Sequence, residues 1–334
     1  MNHNGLTEAY LSNIATLLSD PEYLNSPRGF ASRENVGVSF SIADPRRRLV
    51  PSAVRRSNIV FNLAEALWYF SGRSDLEYMT YYAPGIRRFV MGAEALTGTA
   101  YGPRMFNFGS TGLDQWASVA DLLREDPDTK RAVLQIYQPE ELVVQGNPDV
   151  ACTIALQFLA RNNCLNMVSY MRANDAYRGI VSDIFSFTFL QELMARELGL
   201  ELGRYTHMVG SLHLYEPDVS PAQRLISVSR GDQALSDRMP VMPLGDQRPH
   251  IARLMQIEED LRVDAIRIGA SQLNALDLPE YWRQVVAILE FYRRRQYGAT
   301  VNDDLLDYLH PLYRHMLMNR FPIFSTSPHV KVSA

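Results

Sequence analysis

A thiol, an arginine and two carboxylates fall close together in the middle of the chain. Cys152, one of two cysteines, follows the polar stretch Gly146-Asn147-Pro148-Asp149 and opens an apolar run from Thr153 to Leu159. A polar turn, Arg161-Asn162-Asn163, leads into a second strand-like run from Cys164 to Met171. That run ends on Arg172, Asp175 and Gly179, just before Ser182-Asp183. A hairpin brings its two ends together, so the thiol and the guanidinium are expected to meet. An arginine beside a thiol favours the thiolate, the nucleophilic form. A lone cysteine is more often a small hydrophobe, so position rather than residue type argues for reactivity here.

Other candidates are uninformative singly. Arg28, Lys130, Arg131 and Arg172 come from separate turns and strand ends; each alone reads as a solvated base, but together they suit a phosphate clamp. His213 and Tyr215 alternate on one strand and therefore point the same way. Alternation leaves open whether they are a core pair or donors to a sugar hydroxyl. Glu65 sits in an apolar helical context, either on the polar stripe or as an acid with a raised pKa; helix faces favour the stripe.

The elements that must hold these groups follow from periodicity. Helices are expected over 6–19, 57–70 with Gly72 as its stop, 114–124, and 183–198 with Ser182 as N-cap and Gly199 as C′. Strands are expected over 36–42, 132–137 and 205–215. Residues 26–29 read as a turn and 97–104 as a glycine-bounded loop. The polar, proline-punctuated 216–275 reads as an elaboration of a single domain spanning 1–334, followed by helices near 279–295 and 303–317 and an apolar tail.

The chain is long enough for a large core: 334 residues, 46% hydrophobic and 21% charged. A net charge of −4 implies no broad basic face, which argues against duplex nucleic acid but not against a small anion. No run is long enough to span a bilayer, and the N-terminus lacks the pattern of a signal peptide. Neither CxxC nor HExxH spacing occurs, so no metal is expected. Two cysteines, both in strand-like runs, argue for a reducing compartment. The expectation is a soluble cytoplasmic protein.

Five stretches resemble motifs of the thymidylate synthase family, in the family's order, over roughly 25–218. Glu65-Ala-Leu-Trp-Tyr-Phe-Ser-Gly72 is similar to its glutamate-bearing helix, and Asp126-Pro-Asp-Thr-Lys-Arg131 to its phosphate loop. Ala151-Cys152-Thr153 falls at its nucleophile, usually Pro-Cys-His. Arg172 to Gly179 resembles its Arg-Ser-x-Asp-x-x-x-Gly run, and Gly210 to Tyr215 its Gly-Asp-x-His-x-Tyr strand. The later part of the chain matches poorly.

The resemblance implies an α+β sandwich around a large mixed sheet packed by helices, working as a homodimer. Cys152 would then add to C6 of a pyrimidine nucleoside monophosphate, activating C5 toward the one-carbon unit of 5,10-methylenetetrahydrofolate. Glu65 would organise water and proton transfers, and Tyr101 the water that removes the C5 proton. Arg28 and Arg172, with Lys130 and Arg131 of a partner subunit, would hold the phosphate. His213 and Tyr215 would bind the sugar, and Asp175 with Gly179 would seat the folate.

Departures from the family pattern point to the substrate. Asp183 stands where relatives acting on uracil carry asparagine. A carboxyl can accept from a cytosine amino group and share a proton with N3, a pattern uracil cannot match. The resemblance therefore implies a cytidylate 5-hydroxymethylase, with CMP or dCMP as substrate, in the branch that completes the reaction with water. The small Ala176 leans toward the ribose of CMP, as in nucleoside-antibiotic pathways. Ala173 replaces a phosphate-binding serine, and Lys130 is a point charge where relatives have a guanidinium fork. The family's tryptophans have no match in Tyr81 to Met91, and His329 to Ala334 departs from the usual closing tail. The rival readings are a thymidylate synthase acting on dUMP, which would release dihydrofolate, and a nucleotide-binding protein without turnover.

Overall fold

A computed structural model describes residues 1–90, 96–229 and 238–322. Its seven strands are β1 (Asn2–His3), β2 (Tyr23–Asn25), β3 (Ser32–Ile42), β4 (Val133–Gln135), β5 (Thr153–Arg161), β6 (Cys164–Asp175) and β7 (Glu201–Tyr215). They form one sheet in the order β1-β3-β7-β6-β5-β4, with β2 also paired to β3. The β1–β3 and β6–β7 pairs are parallel and the rest antiparallel, so the sheet is mixed. The β5–β6 hairpin turns on Asn162 (φ 52°) and Asn163 (φ 59°), the left-handed pair that a two-residue hairpin demands.

Among the described residues, twelve α-helices accompany the sheet. The first six are α1 (Leu6–Ser19), α2 (Ile59–Phe70), α3 (Leu76–Tyr82), α4 (Tyr101–Phe106), α5 (Gln115–Glu125) and α6 (Ile180–Glu197). The others are α7 (Glu216–Ser229), α8 (Arg248–Arg262), α9 (Ala270–Ala275), α10 (Glu280–Gln296), α11 (Asp303–Tyr308) and α12 (Pro311–Arg320). Helix α6 makes the crossover that two parallel strands require and packs on both β6 and β7. Helix α2 lies against α6, and every residue of α2 except Phe61 is buried. A helix apolar on all sides must be central. Among strand side chains on the other side of the sheet, Ile154 and Met208 are each 38% exposed.

Several expected boundaries move. The 97–104 loop is helical from Tyr101, because Gly102 packs tightly against the backbone at Tyr69 and Gly72. The helix expected to start at 183 begins at Ile180, with Gly179 rather than Ser182 at its N-cap. Strands β3, β6 and β7 are longer than their apolar alternation suggested, since ladder pairing continues through their polar ends. The helix near 303–317 is two helices, broken before Pro311, which cannot continue one. The described part of the 216–275 elaboration holds three helices, of which α8 packs against α10. Met91 and the 329–334 tail lie outside the described residues.

Candidate active site

Cys152 stands one residue before β5, partly exposed in a cleft of about 710 Å³. Two devices hold its loop. Asp149 is buried and accepts hydrogen bonds from the backbone N–H groups of Thr97 (2.8 Å), Gly98 (2.9 Å) and Thr99 (2.7 Å). Gly98 lies so close to Asp149 that a Cβ there would fall 1.8 Å from its carbonyl oxygen. Behind the loop, a buried ion pair joins Arg104 to Glu141, whose second oxygen accepts from Ala151 N–H at 2.8 Å.

Arg172 leaves the end of β6 and crosses to the same loop. Its Nε donates to Ala151 O and its Nη2 to Val150 O, both at 2.9 Å, and Nη2 also lies 3.5 Å from Cys152 Sγ. Burial pushes the Cys152 thiol up from its ordinary value, while Arg172 and, more weakly, Arg28 pull it down. Arg28 reaches the cleft from a turn in which its own φ is +54°, a left-handed conformation costing about 1 kcal/mol or more in a non-glycine residue.

The opposite wall is built by α2 and α6. Ser182 Oγ donates to Asn62 Oδ1 and Ser186 Oγ to Glu65 Oε2, both at 3.1 Å, which ties the helices together one turn apart. Glu65 is therefore buried rather than on a polar stripe, for α2 has no polar face. Its pKa rises to about 8, first through burial and then through repulsion by Asp183. Asp183 is partly exposed in the cleft, and its carboxyl rises to about 7 through burial, opposed by a hydrogen bond from Asn174. Tyr101 accepts from Thr153 Oγ1 at 3.1 Å and stacks on Tyr69 with ring centroids 4.8 Å apart. Burial holds its phenol neutral.

His213 and Tyr215 also line the cleft, side by side with ring centroids at 4.9 Å. Asp175 caps its own turn, accepting from the N–H groups of Tyr177 and Arg178 at 2.8 Å each, and Gly179 borders the cleft beside it. Three other residues named from the sequence do not line this cleft, two of which, Lys130 and Arg131, are expected to act on a partner's cleft. Ala176 is fully buried and is not part of the cleft wall, because its backbone N–H bonds His213 O and turns its methyl into the core. Lys130 and Arg131 are exposed outside this cleft. Their loop is pinned through backbone carbonyls, with Gln157 bonding Lys130 O and Arg161 bonding Asp128 O.

Sequence reasoning gave no role to Asn174, Tyr69, Ser186 or Asp149. Tyr69 was discoverable, since it lies four residues beyond Glu65 and so shares its helix side. Ser186 carries the same signal relative to Ser182. Asn174 and Asp149 act through contacts between distant segments, which no local pattern encodes. Among the described residues, no group of three or more His, Cys, Asp and Glu is arranged to hold a metal ion, and no helix is long and apolar enough to cross a membrane.

A thiol flanked by arginines thus shares one cleft of an α+β fold with two carboxyls of raised pKa. The thymidylate synthase profile matches residues 9–256, extending past the expected 25–218 core at both ends, and the chain belongs to the thymidylate synthase family. It is 31% identical over 222 residues to a deoxyuridylate hydroxymethyltransferase of Bacillus phage SP01, covering 64% of this chain and 57% of that protein. It is 24% identical over 210 residues to thymidylate synthases of Francisella tularensis subsp. holarctica and Francisella philomiragia, covering 60% of this chain and 73% of each. The match thus spans little more than half the length of the phage relative.

Proposed function

We propose that this protein is a cytidylate 5-hydroxymethylase, transferring a one-carbon unit to C5 of CMP or dCMP. The observation that carries the reading is Asp183, a carboxyl raised to about 7 that faces the same cleft as the Cys152 thiol. Near neutral pH it can share a proton with cytosine N3 while accepting from the amino group. That match is the complement of a uracil edge. The phage relative's hydroxymethyltransferase name supports a reaction completed by water.

Each residue has a definable task. Arg172 and Arg28 stabilise the thiolate and attract the phosphate. Cys152 Sγ adds to C6, and the displaced electron pair makes C5 nucleophilic; Asp183, sharing its proton with N3, eases that addition. 5,10-Methylenetetrahydrofolate, when bound, supplies the one-carbon unit as an electrophile. The cleft suits a flat heteroaromatic group beside the nucleotide, since Phe61, Phe89 and Tyr69 are among its lining residues, as are Asp175 and Gly179. Tyr101 orients the water that takes the C5 proton. Glu65, protonated below about pH 8, holds a proton beside the site. Loss of the C5 proton would expel tetrahydrofolate as the leaving amine, water would add to the resulting exocyclic methylene, and expulsion of the Cys152 thiolate would restore the ring with a hydroxymethyl group at C5.

We also infer a homodimer. Lys130 and Arg131 are exposed, on a loop fixed by its backbone, which suits a phosphate held in a second copy's cleft. Apolar Ile154 and Met208 are left on the sheet face for that copy to cover.

The second reading is hydroxymethylation of deoxyuridylate, favoured by the activity named for the phage relative. Ala176 is buried directly behind His213, to whose carbonyl its backbone N–H donates, and its small side chain there keeps the leaning toward the ribose of CMP as part of the proposal. Incubation with CMP, dCMP and dUMP plus the folate, with products identified by mass, tests the proposal. A 30-Da gain on a cytidylate (CH₂O, roughly one hydroxymethyl in place of hydrogen) supports it; turnover of dUMP alone overturns it.

A further inference from the structure

Beneath Asp183 lies a buried polar chain that the mechanism above does not use. His207 is fully buried on β7 and is held neutral by burial, its pKa falling to about 3. Its Nδ1 meets Tyr205 OH at 2.8 Å and Ser169 Oγ at 3.0 Å, and those two hydroxyls meet each other at 2.7 Å. Its Nε2 lies 3.2 Å from Asn174 Nδ2. The hydroxyl pair can take the Nδ1 proton, which leaves Nε2 as an acceptor for the amide.

Asn174, 3% exposed, therefore has its NH₂ fully engaged, with His207 Nε2 on one side, Met171 Sδ at 3.0 Å and the Asp183 carboxyl beyond. Its Oδ1 has no hydrogen-bond partner. That oxygen lies 2.5 Å from the point a Cβ on Gly179 would occupy, and Asp183 Oδ2 lies 3.2 Å from the same point. All three residues line the cleft. An orphaned buried acceptor is costly unless something binds it.

We propose that Asn174 is a second base-reading residue, its Oδ1 accepting the hydrogen of the cytosine amino group that Asp183 does not take, with His207 as the positioning residue that fixes the amide. The inference rests on the cytidylate reading. An exocyclic amino group has two hydrogens, and a carboxyl that also engages N3 can take only the one on the N3 side. A uracil carbonyl would instead set its oxygen against Oδ1, two acceptors face to face. The close approach of Oδ1 also accounts for glycine at 179, where φ is −75° and the need is space rather than a left-handed backbone.

The test is the ratio of kcat/KM for CMP (or dCMP, if preferred) to that for the matching uridylate, in wild type, Asn174→Ala and His207→Phe. Loss of one neutral hydrogen bond and of one repulsive contact should lower the ratio about fivefold to tenfold in Asn174→Ala. His207→Phe, which keeps an aromatic ring against Phe40, should lower it about threefold by freeing the amide to flip. A merely structural role would reduce both substrates together and leave the ratio alone. If Asn174→Ala does not fold, His207→Phe decides: an unchanged ratio overturns the proposal. A wild type that prefers uridylate overturns the cytidylate reading itself; a wild type that prefers cytidylate, with ratios unmoved in the variants, overturns this inference only.

Discussion

Arg172 Nη2 lies 3.5 Å from Cys152 Sγ while the same guanidinium bonds two carbonyl oxygens of the loop that bears the thiol. One side chain thus fixes the nucleophile's position and offsets part of the burial that would keep it protonated. Removing it should disturb both. In Arg172→Ala, the pH at which Cys152 becomes reactive to iodoacetamide should move upward relative to wild type, read from alkylation rates between pH 6 and 10, a range of roughly two units either side of an ordinary thiol. An unchanged midpoint would mean that the guanidinium is structural only.

Cys152→Ala should abolish exchange of the C5 hydrogen of the nucleotide with solvent, because exchange requires prior addition at C6. Deuterium uptake followed by mass spectrometry reads this directly. Retained exchange would remove the thiol from the mechanism, whatever the fate of the overall reaction.

Asp183→Asn exchanges an acid for an amide in a cleft built of buried polar groups. Preference should move toward uracil nucleotides by about tenfold or more, because the amide carries N–H hydrogens for O4 at every pH whereas the acid donates only while protonated. Competition between cytidylate and uridylate in one reaction mixture gives the ratio without separate KM values.

Glu65 yields a pH prediction with a definite sign. Its pKa rises from 4.5 unfolded to about 8 folded, so between those values the folded chain holds a proton that the unfolded chain has released. Its contribution to stability is complete below 4.5 and is lost as pH climbs through 8. Glu65→Gln should abolish that loss, making the variant more stable than wild type at pH 9 by on the order of a few kcal/mol. Denaturant midpoints at pH 5 and 9 would show it; parallel curves for the two proteins would place the carboxyl in solvent.

Arg104→Ala leaves Glu141 buried behind the nucleophile loop without its ion-pair partner. Breaking one side of a buried pair costs about 3–5 kcal/mol, and this pair also supports Ala151 N–H. A loss below about 1 kcal/mol by urea titration would show the pair to be dispensable.

Much of the architecture was legible because long elements have one dominant period. Helix α1 and the β5–β6 hairpin stand where alternation and turn residues put them. Faces were less legible than elements: Glu65 reads as a surface residue because helical patterning assumes a polar stripe, and α2 has none. Helix starts failed where a backbone N-cap replaced a side-chain one, as at Gly179. In the cleft, Cys152, Arg172, Glu65, Asp183, Tyr101, His213 and Tyr215 were named from their motifs and do come together. Ala176 was not separable by sequence, for one alanine in a turn gives no sign of which way its methyl faces. Asn174 needed a partner strand to acquire meaning, since His207 lies far along the chain yet within hydrogen-bonding reach.

The three N–H groups converging on Asp149 have a consequence for how the protein operates. That carboxylate is saturated, so although it stands three residues from the sulfur it is not free to act as a base. It works instead as a rivet, joining the segment that leads into Tyr101 to the segment that ends in Cys152. The spacing of nucleophile and phenol is thereby fixed at both ends, since Thr153, next to Cys152, donates to the Tyr101 hydroxyl while the Tyr101 ring stacks on Tyr69 of the facing wall.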